Sequence, residues 1–88
     1  MPYIELEDRE NFEAGLDRII TDLDTRTWSA GDVNYVIYSI FLAWWKSAPK
    51  YVTICKIIGT LGCVTQEFYR KFAAPYEEIA ERRNGEIT

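Results

Sequence analysis

Histidine is absent from the chain, which removes Ser–His and Cys–His nucleophile pairs together with most zinc sites. Cysteine is scarce. Cys55 and Cys63 stand eight residues apart in what reads as one helix, about 12 Å along its axis and beyond disulfide reach. Both are expected to be reduced, buried and structural, because free cysteine packs as a small hydrophobe. No glycine-rich loop sits between a strand and a helix, and Gly59-Thr60-Leu61-Gly62 falls mid-helix, where no phosphate cradle forms. Basic residues number 10 against 14 acidic ones, for a net charge of −4. That balance speaks against general nucleic-acid or anionic-lipid binding. The lack of a basic recognition helix speaks further against a transcriptional regulator. There is also no run of roughly 20 apolar residues to cross a bilayer: the best candidate, Val33 to Trp45, contains Asn34 and Ser39. Met1 to Asp8 is short and acidic, without a basic region followed by an apolar one. A cytoplasmic protein without membrane contact is expected.

What the chain does contain is apolar and aromatic surface, 48 % and 15 % of its 88 residues. A chain this short buries only about 60 % of its unfolded surface, so a single domain is expected, with part of the apolar surplus in a subunit interface and hence a homo-oligomer. Tyr3-Ile4-Glu5-Leu6 alternates weakly and reads as an extended N-terminal arm. Phe12, Leu16, Ile19, Ile20 and Leu23 recur at helical spacing and predict an amphipathic helix over 10–24. Ser29-Ala30-Gly31-Asp32 is a variant capping box opening a second helix over 29–46. Its apolar residues from Val33 to Trp45 cover nearly the whole circumference, so it should be buried on most sides. Pro49 ends it. A third helix is predicted over 51–73, with Gly59 and Gly62 admitting close approach of another helix. Pro75 then interrupts, and a short helix over 75–83 follows, with Glu77 and Glu78 early, Arg82 and Arg83 late, and Asn84-Gly85 as its stop. Glu78 and Arg82 are spaced to pair.

The chemistry-bearing residues are few. All-helical nucleotide pyrophosphohydrolases of the MazG type hold Mg²⁺ with helix-borne carboxylates, and Glu67, Glu77, Glu78 and Glu81 are the one cluster comparable to theirs. Pro75 separates Glu67 from the others, which look like a solvated helix face, so no metal ligand is assigned. In Glu67-Phe68-Tyr69-Arg70-Lys71, Arg70 either pairs with Glu67 or the Glu77–Glu78 pair, or joins Lys71 and Tyr69 as an anion contact. Asn34 in its apolar run must be satisfied, by capping or bridging neighbouring helices or by facing a ligand or subunit. Trp44 and Trp45 cannot both face one small core. One of them, with Tyr35 or Tyr38, is expected in an exposed aromatic contact patch unless the arm covers it.

Met1-Pro2-Tyr3-Ile4, Gly31-Asp32-Val33-Asn34-Tyr35-Val36-Ile37, Gly59-Thr60-Leu61, Gln66-Glu67-Phe68-Tyr69-Arg70-Lys71, Ala74-Pro75-Tyr76-Glu77-Glu78 and Asn84-Gly85-Glu86 together resemble a family of small phage- and prophage-type proteins. Its members read roughly MPYI, GDLNYVIT, a GALE-like stretch, LEFYRR, APYED and NGD. The resemblance spans nearly the whole chain. Tyr38 stands where the pattern has Thr, Gly62 where it has Glu, Lys71 where it often has Arg, and Glu86 where it has Asp. The family is a domain of unknown function, so the resemblance implies a setting, a phage-type accessory protein, rather than an activity. If the Glu replaced by Gly62 binds metal in relatives, that ligand is missing here. Carried over by motif, Asn34, Tyr35, Glu67, Tyr69, Arg70, Tyr76, Glu77 and Asn84 are the polar positions of interest.

These readings predict an all-α protein, a small bundle of three main helices with a short C-terminal helix and an extended N-terminal arm. No catalytic residue and no cofactor is assigned. The expected function is binding: a host-directed inhibitor or sequestering protein whose partner is a host defence protein or a small nucleotide signal. The candidate contacts are Asn34, Tyr35, Tyr38, Trp44, Trp45, Glu67, Tyr69, Arg70, Lys71 and Tyr76. A Mg²⁺-dependent nucleotide hydrolase and a virion-assembly or scaffold component are the alternatives.

Overall fold

The structure is a computed structural model that describes residues Ile4 to Gly85. The part of the expected arm before Ile4, and Glu86, lie outside the described residues. Every described element is helical, in the order α1 (Leu6–Thr25), α2 (Ala30–Ser47), α3 (Tyr51–Phe68), a π-helical turn (Tyr69–Ala73) and α4 (Ala74–Asn84). The all-α expectation holds. By their contacts these elements fall into two units, one ending at Ala48 and the other beginning at Pro49.

In the first unit α1 begins four residues before the predicted start. Glu5 is extended as the N-cap, but Leu6 of the expected arm is already helical, and Glu7 and Asp8 place negative charge on the first turn, where the helix dipole favours it. Arg9 Nε also donates to the Ile4 carbonyl at 3.2 Å. The other end closes in a Schellman arrangement: Trp28 N–H donates to Leu23 O at 2.9 Å and Thr27 N–H to Asp24 O at 2.9 Å. Glycine usually occupies the left-handed position of this motif. Here Thr27 (φ 60°) and Trp28 (φ 57°) adopt it, an uncommon conformation for a side chain branched at Cβ. Trp28 is held by its indole N–H, which donates to Asp24 Oδ1 at 3.0 Å.

Helix α2 starts at Ala30 with Ser29 as N-cap, but the predicted capping box does not close, since Ser29 makes no side-chain cap bond. Asp32 instead accepts from Arg26 Nε at 2.8 Å across the turn. Two serines of this apolar helix are satisfied within it: Ser39 Oγ donates to Tyr35 O at 2.7 Å and Ser47 Oγ to Trp44 O at 2.6 Å. Contrary to expectation, no residue of α2 is buried. Its circumference is apolar, but Val33, Val36, Phe41 and Trp44 are only half-covered, and Leu23 on α1 is the unit's buried apolar residue.

In the second unit Pro75 was expected to end a helix, yet the backbone runs helical from Tyr51 to Asn84. Proline lacks a donor and its ring strikes the carbonyl four residues back. The π turn from Tyr69 to Ala73 precedes it, and Ala74 N–H bonds to Tyr69 O five residues back. One extra residue per turn rearranges the carbonyls ahead of the ring, so the break becomes a bulge. Gly85, at φ 86°, closes α4 as the Asn84-Gly85 pair predicts. Glu78 and Arg82 make no ion pair among the described residues. Thr53 and Ile57 are buried, whereas Cys55 and Cys63, expected inside, are exposed. Eight residues advance a helix by about 80° beyond two full turns, and neither thiol falls on the stripe that Thr53 and Ile57 occupy.

Candidate functional site

In the first unit the last turns of α1 and the first turns of α2 enclose an open groove of about 220 Å³, lined by Ile19, Asp22, Leu23, Arg26, Asp32, Tyr35 and Val36. Its floor is apolar, with Leu23 buried at its base. The Arg26–Asp32 pair crosses one rim, and Asp32 holds the Arg26 guanidinium above its ordinary value, first through the hydrogen bond and then through charge. Both partners are solvated, so the pair fixes the turn's geometry more than it stabilises the fold. Of the predicted contact residues only Tyr35 lines this groove. Arg26 and Asp22 are not singled out in the sequence, and Asp32 is read there only as the capping-box carboxylate. The available sign was the opposite charge of Arg26 and Asp32 on either side of a tight turn.

Tyr35 also begins a stripe along α2. Tyr35, Tyr38, Leu42 and Trp45 follow one another at three- and four-residue steps, which keeps them on one helix face. They are exposed by 72, 63, 36 and 38 % respectively. Trp44, about 100° round the helix from Trp45, is half-covered. Asn34, expected to cap or bridge neighbouring helices or to face a ligand or subunit, is exposed at the edge of this stripe, so it is not the buried amide that the first of these requires.

The remaining predicted residues gather on the second unit, around the π turn. Glu67 accepts from Arg70 at 2.7 Å and lies 3.1 Å from Lys71 Nζ, so the local pairing of Arg70 is the one realised. Tyr69 Oη donates to Glu77 Oε2 at 2.6 Å across the bulge. That bond, followed by the charge of Glu77 and a smaller desolvation effect, raises the Tyr69 phenol above its ordinary value. Tyr76 stands on α4, 74 % exposed. Glu67 is thus engaged by two cations and Glu77 by a phenol. Among the described residues no group of three or more His, Cys, Asp or Glu is placed to hold a metal ion. Nor is any described helix long and apolar enough to cross a membrane.

Comparison with known proteins adds one finding. No curated protein and no solved structure matches the chain. The family DUF6899, described as a domain of unknown function, matches residues 1–87, and the chain therefore belongs to it.

Proposed function

We propose that this protein acts by binding, as a phage-type accessory factor that docks onto a host protein through the first unit. The observation that carries the reading is the exposed aromatic stripe Tyr35–Tyr38–Leu42–Trp45, running alongside the groove that Tyr35 shares. Tyrosine and tryptophan dominate the energetics of protein contacts because each covers a large area at low conformational cost. The groove has the volume of about one apolar side chain, and its lining offers Ile19, Leu23 and Val36.

A nucleotide signal fits the same place less well. Its phosphates need cations, whereas the lining holds two carboxylates against the single base Arg26, already engaged by Asp32. The favoured partner is therefore a protein segment presenting an apolar anchor, with the partner's own charge kept off the groove.

The test is a photo-reactive amino acid placed at Tyr35 or Tyr38 and, as control, at Arg18, which is well exposed outside the groove lining. The expected result is one discrete adduct with a host protein from positions 35 and 38, none from 18, and its loss in Val36→Asp. A nucleotide-dependent thermal shift abolished by Tyr35→Ala, with no protein adduct, would replace the protein partner by a nucleotide. No adduct and no shift would refute docking through this unit.

A further inference from the structure

On the second unit, Tyr51, Ile54, Ile58, Leu61, Thr65, Phe68 and Phe72 follow one another at alternating steps of three and four residues. A 3.5-residue repeat held over three heptads is the pattern by which two helices lie side by side, knobs of one in holes of the other. All of these positions are exposed: Tyr51 by 80 %, Ile54 by 39 %, Ile58 by 66 %, Leu61 by 42 %, Phe68 by 63 % and Phe72 by 60 %. The buried residues of the same helix, Thr53 and Ile57, fall outside the repeat. Thr65 does not spoil the seam, because its hydroxyl already donates to Leu61 O at 2.9 Å, leaving the methyl free to face a neighbour. The π turn does not divert it either, since the Phe68 and Phe72 rings remain 4.9 Å apart.

We infer that this seam is a homodimer interface, occupied by the same seam of a second copy of the chain. Three observations select a second copy. The exposed side chains of the seam amount to on the order of 800 Å² per chain, the share each partner contributes to a stable interface of standard size. From Tyr51 to Gln66 the only charged residue is Lys56, on the opposite side of the helix, and in the last heptad Glu67 is paired with Arg70 and Lys71 of its own chain, so the surface meets its own image across a two-fold axis with little like-charge repulsion. Gly62, flanking Leu61, has open space where a Cβ would lie, so nothing in the chain's own packing requires it, whereas a neighbouring helix would use that space. This inference stands apart from docking through the first unit: sedimentation of the pure chain reads it with no host protein present.

The experiment is sedimentation equilibrium of the full chain at tens of micromolar, with helicity followed by circular dichroism. The wild type is expected to be dimeric. Ile58→Glu and Leu61→Glu should be monomeric with helix content retained, because both side chains are substantially exposed within the chain. Leu61→Ala should raise the dissociation constant roughly tenfold per copy and therefore roughly a hundredfold per dimer. Val52→Glu, exposed on the same helix but off the repeat, should leave the dimer intact. A monomeric wild type overturns the inference. So does a dimer that survives Ile58→Glu and Leu61→Glu, or one lost in Tyr38→Glu but kept in both seam variants, which would assign self-association to the first unit.

Discussion

Thr27→Gly should stabilise the first unit, against the usual outcome of introducing glycine next to a helix. Thr27 sits at φ 60° in the position after the end of α1 where the Schellman arrangement requires a left-handed residue. For an L-residue with a Cβ that conformation costs roughly 1–2 kcal/mol, and branching at Cβ adds crowding. Glycine removes the cost but surrenders roughly 0.5–1 kcal/mol of extra chain entropy. The bond that Thr27 Oγ1 donates to its neighbour Arg26 O at 2.6 Å is solvent-exposed, so its loss weighs little. The net gain should be about 0.5–1 kcal/mol. Urea denaturation followed at 222 nm reads it as an increased midpoint with an unchanged slope. Trp28→Gly is the informative companion. It relieves the same backbone cost at φ 57° but removes the indole that donates to Asp24 at 3.0 Å, so it should not stabilise. If Thr27→Gly lowers the midpoint, the left-handed turn is not under the strain inferred here and the account of the helix end fails.

Leu23→Ala, at the buried base of the groove, should cost about 2 kcal/mol, near the low end for such truncations because the site opens to solvent and water can enter; a cost within error of an exposed α1 substitution such as Leu16→Ala would show that the groove has no organised floor. The Tyr69 phenol is raised by its bond to Glu77, so its contribution to holding α4 on the π turn is present below the ordinary phenol value of about 10 and is lost as pH rises through the higher folded-state value. Absorbance titration near 295 nm should show one tyrosine ionising late in the wild type, absent in Tyr69→Phe and shifted back down in Glu77→Gln; an unchanged curve in Glu77→Gln would contradict the contact.

The fold class was legible because periodicity reports helices well. Phe12, Leu16, Ile19, Ile20 and Leu23 place α1, and Asn84-Gly85 places the end of α4. The features that escaped are those in which an uncommon residue performs a common job. Thr27 rather than glycine makes the left-handed turn, so no residue type announced it. Pro75 was read as a break because the rule against proline assumes α-helical bonding, and a π turn ahead of it evades the rule. The candidate site was legible only in part. Tyr35, Tyr38 and Trp45 were identified as surplus aromatics, and they are exposed. Glu67, Tyr69, Arg70 and Lys71 adjoin in the sequence, but that Glu67 pairs with Arg70 and Lys71 while Tyr69 reaches Glu77 depends on rotamers that the sequence does not display. The larger discrepancy concerns α2 and the two cysteines, expected to be buried and found exposed. Apolar character alone does not distinguish a face covered by its own chain from one covered by another, because the same transfer free energy drives both. Spacing does distinguish them here. On α3 the buried Thr53 and Ile57 lie off the three–four series that the exposed positions from Tyr51 to Phe72 keep. A core within one small chain needs only enough apolar residues on roughly one side, whereas a seam between supercoiled helices demands strict register over its whole length. That regularity on an exposed face is the physical reason to assign it to a second copy.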